Sequence, residues 1–399
     1  MSSPHYLPPP VPLAKEEQSF SFHRLLRRNH DYRWWRPLAF AGTGIGFYIA
    51  LLIVAMLIIF VAALVNPATW AADTSGATDS MAIEAELDMT SPIEFAITMA
   101  SLIIMIPAVY LAYLLLGSKP VGSLISVAGK LRWRWFGVAI GTSALLFAAY
   151  FALNFALSAS GVGEQTDLIP TKVPADPLFF ALLVILLTPF QCAAEELVFR
   201  GAMMQVIGSW LKHPLFAILL PVPLFTVGHL YDVYGLLDVS AFAIAAGYLS
   251  WRTGGLEAAM AMHIINNTFL FLLGAMGQID MNASSSSPTS LIFSVLFTAV
   301  LTYVLVKLSD KNKVARTAGP IPEATRPPLL QPWPMAQPMY HQPQAYWAPP
   351  MDPSIQQAQP PYPQNYPPAP GYPPAGGYPT APPAPPTDTF GNPPENHDR

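Results

Sequence analysis

Cysteine is almost absent. Of 399 residues only Cys192 is one, which excludes an intrachain disulfide and any cysteine-based zinc cluster. Charge is nearly as scarce: Asp, Glu, Lys and Arg make up 11% of the chain, against about 25% in an average soluble domain, while hydrophobic residues reach 52%. These figures exclude an ordinary soluble enzyme. The net charge is −4, and no basic block is dense enough to make nucleic acid a partner. Proline is unevenly placed, with 26 of its 44 occurrences in residues 320–399, where aliphatic runs are almost lacking. The rest of the chain reads as a membrane protein.

Residues Leu38 to Val65 form an apolar run without a charge, longer than the roughly 20 residues a helix needs to cross the hydrocarbon layer. Further runs cover Phe95–Leu116, Phe136–Leu157, Leu178–Leu211, Leu215–Leu230, Leu236–Trp251, Leu256–Ala275 and Leu291–Val306. The expected fold is therefore all-α, a polytopic bundle of about eight transmembrane helices, the fifth and sixth being short. It divides into a basic N-terminal segment (1–37), N-terminal spans (38–177), a polar-residue-bearing core (178–275), a last span with its basic flank (276–316) and a tail (317–399). The tail is rich in Pro, Tyr and Gln and lacks the apolar residues to offset ordering entropy, so disorder is expected. Its PxxP spacings could dock a partner with an aromatic groove, although a passive tail is the simpler reading.

Lys and Arg in short loops mark the cytoplasmic side. Arg24, Arg27, Arg28, Arg33 and Arg36 precede the first span; Lys119, Lys130, Arg132 and Arg134 fill the next loop of the same parity; Lys212, Arg252, Lys307, Lys311, Lys313 and Arg316 continue the series. The opposite loops carry ten acidic residues, Asp73 to Asp280, with only Lys172 as a cation. Both termini are thus expected in the cytoplasm of a cell-membrane protein. Tyr32, Trp34 and Trp35, like Trp133 and Trp135, interleave with arginines just before a span, as interfacial anchors do.

Ionisable side chains inside lipid cost several kcal/mol unless paired or wetted, so each is a candidate functional residue. Three stretches concentrate them: Gln191-Cys-Ala-Ala-Glu195-Glu196-Leu-Val-Phe-Arg200-Gly201, Phe225-Thr-Val-Gly-His229, and His263-Ile-Ile-Asn266-Asn267. On a helix Glu196 and Arg200 share a face and can pair. Glu195 is rotated about 100° away and left without that partner. His263 and Asn267 are likewise one turn apart. A carboxylate, two imidazoles and an amide converging in a wetted chamber is a set suited to hydrolysis, with Glu195 and His229 activating water and His263 and Asn267 holding the oxyanion. Taken singly, each motif also fits a helix-packing ion pair, a satisfied histidine or an interhelical amide. Cys192 reads as a small packing residue.

The three motifs in this order resemble the CAAX-protease and bacteriocin-processing family of intramembrane peptidases, relatives of the type II CAAX prenyl endopeptidase. The resemblance covers about residues 178–275 and implies a helical membrane protease whose cavity opens to the cytosol. It implies Glu195 as the activator of water assisted by His229, His263 and Asn267 as oxyanion ligands, and Glu196 with Arg200 as their support. The substrate would be a membrane-associated peptide or protein. Two histidines and a carboxylate could supply three zinc ligands, as in a metalloprotease. No His-Glu-x-x-His pair is present, which favours a metal-free glutamate mechanism without a cofactor. The alternatives are a non-proteolytic scaffold, immunity or regulatory member of the family, or a proton-coupled transporter. The transporter is disfavoured because no duplicated halves are visible.

One expectation strains the scheme. At 1.5 Å per residue His229 lies about 25 Å from Lys212, whereas His263 lies only about 12 Å from Gly255. Straight spans would separate them, so Pro221 and Pro223 are expected to break the fifth segment into a tilted or re-entrant path.

Overall fold

A computed structural model describes residues 19–29, 32–65, 88–161 and 172–321. The acidic residues of 66–87 and 162–171 and the proline-rich tail from 322 lie outside the described residues. The chain divides into two units, Met1–Leu329 and Leu330–Arg399, and everything below concerns the first.

Eleven α-helices are described, joined by one π-helical turn and two 3-10 turns. In chain order they are α1 (Arg36–Val65), α2 (Pro92–Ile103), α3 (Met105–Leu116), α4 (Trp133–Ala159), α5 (Pro177–Glu196), α6 (Met204–Trp210), α7 (Pro214–Leu219), α8 (Val222–Val227), α9 (Val233–Thr253), α10 (Glu257–Ala275) and α11 (Pro288–Lys311). Helices α2 and α3 together make one span, as do α5, the π-turn Leu197–Met203 and α6. The starts follow a recurrent local rule: a short polar side chain caps the first turn and proline takes the first helical position. Ser91 accepts from the Glu94 amide before Pro92, Asp176 from Phe179 before Pro177, and Ser287 from Ser290 before Pro288. Proline is preset for the first turn and its missing N–H is not needed there.

Among the described residues seven helical stretches are long and apolar enough to cross a bilayer. The chain is a multi-pass membrane protein. Ile45, Ile49, Ile53, Met56, Leu57 and Ile58 of α1 all face outward, a helix surface that only lipid tolerates. The fifth expected span is not a single helix but the pair α7 and α8, broken at Leu220 and Pro221. It nonetheless connects the two ends of the bundle. Its start is tied to the N-terminal segment by His23 Nε2 at the Lys212 carbonyl (3.1 Å), and its far side by the Asp232 amide donating to Ser284 (2.7 Å).

The loops carrying alternate sets of Lys and Arg meet at one end of the bundle. Arg132 makes two bonds to Glu257, at 2.7 and 2.6 Å, and donates to the carbonyls of Thr253 and Ala315. Arg252 and Arg316 both pair with Asp310. Arg24 and Arg27 donate to the Gly208 and Ser209 carbonyls that close α6, satisfying acceptors a helix end leaves unpaired. Phe20–Ser21 pairs antiparallel with Thr317–Ala318, the only strand pair among the described residues. Gly254 turns the chain from α9 into α10 with φ +71°, and a Cβ there would sit 2.6 Å from the Ala315 carbonyl oxygen. At the opposite end Asp88 gathers Thr90, Lys172 and Asn282.

Helix α10 is the central element, packed against α4, α5 and α9. Trp135, Phe147, Leu249, Met262 and Leu301 fill one core, and Phe95, Phe180 and Ala275 another nearer the Asp88 end. Trp135 therefore is a core residue rather than an interfacial anchor. Trp34, Trp35 and Trp133 are exposed.

Candidate active site

Helix α5 carries Gln191, Cys192, Glu195 and Glu196 into the middle of the bundle, and the π-turn that follows presents Arg200. A π-turn widens the helix by one residue and recurs at functional sites. Here it is seated against the loop Val121–Leu124: a Cβ at Gly201 would lie 3.1 Å from the Leu124 carbonyl oxygen, which accounts for the glycine after Arg200.

The Glu196 side chain is fully buried. Its Oε1 accepts from Arg200 Nη1 at 3.0 Å and from His263 Nδ1 at 2.9 Å. The Arg200 guanidinium also lies 4.2 Å over the Phe225 ring and directs Nη2 at the Ala243 carbonyl, 3.4 Å away. A buried ion pair is held only when such extra partners replace the lost water. Because a carboxylate only accepts, His263 must carry its proton on Nδ1. That fixes the ring, and Phe242 packs against it with centroids 5.1 Å apart.

Glu195, rotated as its position next to Glu196 requires, faces the other nitrogen of the same imidazole. Its Oε2 is 3.6 Å from His263 Nε2, its Oε1 accepts from Gln191 Nε2 at 2.7 Å, and its side chain is 10% exposed. Oε2 is buried and accepts no hydrogen bond from the described residues, and the same holds for Oε2 of Glu196. Asn267, one turn after His263, places Nδ2 3.3 Å from His263 Nε2 and 3.4 Å from Gln191 Oε1, while its own carbonyl accepts from Asn266. The structure thus brings Glu195, Glu196, Arg200, His263 and Asn267 into one connected network.

His229 stands at its edge. Its Nδ1 donates to the Phe225 carbonyl at 2.9 Å, which leaves the lone pair on Nε2, and among the described residues it makes no hydrogen bond to Glu195. Its ring is 5.0 Å from that of Phe225, and Phe225 in turn is 6.3 Å from His263 and stacked edge-on against Phe199 at 5.1 Å. The two histidines therefore flank one phenyl ring. The break at Leu220 and Pro221 and the bond from Thr226 to Ser240 of α9 (2.9 Å) hold the fifth segment where a straight helix would not lie.

Among the described residues no set of three His, Cys, Asp or Glu gathers as a metal-holding group, Glu195, His229 and His263 included. Cys192 is buried, with Sγ directed at Gln191 Oε1 (3.3 Å) and in contact with His263. The sequence reading gave no role to Gln191, although its position one turn before Glu195 was the available signal. It also passed over Glu257, whose fully buried carboxylate anchors α10 to Arg132 two turns before His263. That pair joins distant segments, and no local spacing announces it.

Comparison with known proteins points to the same stretch of chain. Residues 174–269 match the family model of type II CAAX prenyl endopeptidase Rce1-like proteins. The uncharacterized protein YyaK of Bacillus subtilis (strain 168) is 30% identical over 174 residues, 41% of this chain and 56% of that protein, so the chain spans just over half the length of this relative. No solved structure matches significantly. The residues that build the network, Gln191 to Asn267, thus lie within the stretch that is similar to type II CAAX prenyl endopeptidase Rce1-like proteins.

Proposed function

We propose that the chain is an intramembrane endopeptidase that hydrolyses peptide bonds of membrane-associated proteins or peptides, with Glu195 as general base. One observation carries the reading: of the two buried carboxylate oxygens that accept no hydrogen bond from the described residues, Oε2 of Glu195 belongs to the side chain that keeps some exposure (10%) and lies 3.6 Å from an imidazole nitrogen, whereas the Glu196 side chain is sealed. An unsatisfied buried carboxylate oxygen costs about 1–3 kcal/mol or more, so an arrangement that retains one calls for a reason. A water donating to that oxygen supplies one.

In the proposed reaction this water attacks the carbonyl carbon of the scissile bond and passes a proton to Glu195 Oε2. The developing oxyanion is met by Asn267 Nδ2, whose bond of 3.4 Å to Gln191 Oε1 is long enough to exchange, and by His263 Nε2 when that nitrogen is protonated. Collapse of the tetrahedral species breaks the C–N bond as Glu195 returns the proton to the amine. His229, with a lone pair on Nε2, assists at the water side, and Glu196 with Arg200 holds His263 in place. No step passes through a metal. The end of the bundle that collects the Lys and Arg loops is taken as cytoplasmic.

The test is digestion by the purified chain in proteoliposomes. The probe is a membrane protein extract from cells lacking the chain, with new peptide termini mapped by mass spectrometry. Discrete new termini are expected with wild type and none with Glu195→Gln. Equal termini with both proteins, or none with wild type, overturn the proposal.

A further inference from the structure

Gln191 lies on the same face of α5 as Glu195 and is 4% exposed in the centre of an apolar bundle. A buried amide in lipid needs partners for both its ends. Its Nε2 donates to Glu195 Oε1 at 2.7 Å, and its Oε1 accepts from Asn267 Nδ2 at 3.4 Å and from Cys192 Sγ at 3.3 Å. The amide cannot be turned round without loss: a flipped Gln191 would set its carbonyl against the carboxylate of Glu195 and its N–H group against that of Asn267. Asn267 is oriented from its other end as well, because its carbonyl accepts from Asn266 Nδ2 at 3.0 Å. The donors therefore run in one direction, Asn266 to Asn267 to Gln191 to Glu195, and the chain of amides ends on the carboxylate.

We propose that Gln191 is a positioning residue, which spans α5 and α10 to set the general base and the oxyanion donor at a fixed separation. This rests on the hydrolytic reading above. By engaging Oε1 of Glu195 it leaves Oε2 as the oxygen turned to His263 and to water. By accepting from Asn267 it holds that amide beside His263 Nε2 until an oxyanion competes for it. Neither Glu196 nor Arg200 can do this, since both lie on the far side of the imidazole ring. The bridge also separates two roles within one helix: one turn of α5 orients the base, and the next, through Glu196 and Arg200, orients the histidine.

The experiment uses the full chain in proteoliposomes and a synthetic peptide spanning a cut site mapped with wild type. Gln191→Met keeps the volume and removes both bonds. The expected result is kcat reduced by about 10²-fold, the scale of a misplaced catalytic group, with KM changed less than about threefold. Residues that act as a unit are non-additive, so in an Asn267→Ala background the same substitution should lower kcat by less than about threefold. Should Gln191→Met fail to fold, Gln191→Leu removes both bonds with a different apolar shape and is expected to lose kcat alike. Wild-type kcat in these variants, a loss confined to KM, or full additivity with Asn267→Ala overturns the positioning role. If instead Glu195→Gln cleaves as well as wild type, it is the hydrolytic reading that fails.

Discussion

Removing the Arg200 guanidinium while leaving its length, as in Arg200→Met, isolates the energetics of the buried charges. Glu196 has no exposed surface, and among the described residues its Oε1 is held by Arg200 and His263 alone. Without the guanidinium a carboxylate remains in an apolar bundle with one neutral-capable partner, a change that costs about 3–5 kcal/mol when a buried pair is broken. Loss of the cation over the Phe225 ring, 4.2 Å away, adds about 0.5–2 kcal/mol. Methionine recovers part of the packing, so a net loss near 4 kcal/mol is expected. Glu196→Gln in the same chain removes the orphaned charge and keeps an acceptor for His263 Nδ1. The double variant should therefore lie within about 2 kcal/mol of wild type, more stable than Arg200→Met alone. Reversible unfolding in detergent micelles measures all three. A loss below about 1 kcal/mol in Arg200→Met, or a double variant as unstable as the sum of the single ones, refutes the reasoning.

Other expectations concern the ends of the bundle and the metal question. Gly254→Ala should destabilise the chain by more than about 1 kcal/mol in the same unfolding assay, because φ is +71° and the added Cβ meets the Ala315 carbonyl. Tyr113→Phe removes the donor to Gln205 Oε1 (2.9 Å), whose Nε2 in turn holds the Ser123 carbonyl, and should cost about 1–3 kcal/mol by the same measurement. Partial burial works against the Asp88 carboxylate, but Lys172, Asn282 and Thr90 outweigh it and hold its pKa below the ordinary carboxylate range. Its stabilising contribution is thus present above pH about 4 and lost as pH falls through the depressed value. The melting-temperature gap between wild type and Asp88→Asn should be constant from about pH 8 to pH 5 and narrow below about pH 4. Cleavage by the purified chain should survive chelation by EDTA and 1,10-phenanthroline, and a chelator-sensitive, zinc-restored activity would contradict the metal-free mechanism.

How much of this could be read in the sequence depended on the range of the interaction. Spans announce themselves because lipid demands about 20 apolar residues in succession, and the Pro-led helix starts at 92, 177 and 288 are local chemistry. The pairing of Glu196 with Arg200 needed only helical spacing. The fifth segment showed its prolines, so a break was expected; that the break would set His229 and His263 on either side of Phe225 required the contact to α9. Trp135 misled because the Trp-Arg interleaving of interfacial anchors does not say which side of a helix faces lipid. Gln191 carried a legible signal, a polar residue one turn before a carboxylate. Its second bond, to Asn267, spans 76 residues and could only be seen in the fold.

The central claim is that Glu195 and His263 perform hydrolysis in the membrane. It is tested most directly by comparing mapped peptide termini in membrane proteomes of source cells carrying wild type, Glu195→Ala, His263→Ala or a deletion, at matched expression. The expected result is one precursor, or one set of them, accumulating uncut in both point variants and in the deletion. A phenotype in the deletion with wild-type cleavage in both point variants would contradict the account and assign the chain a role as scaffold.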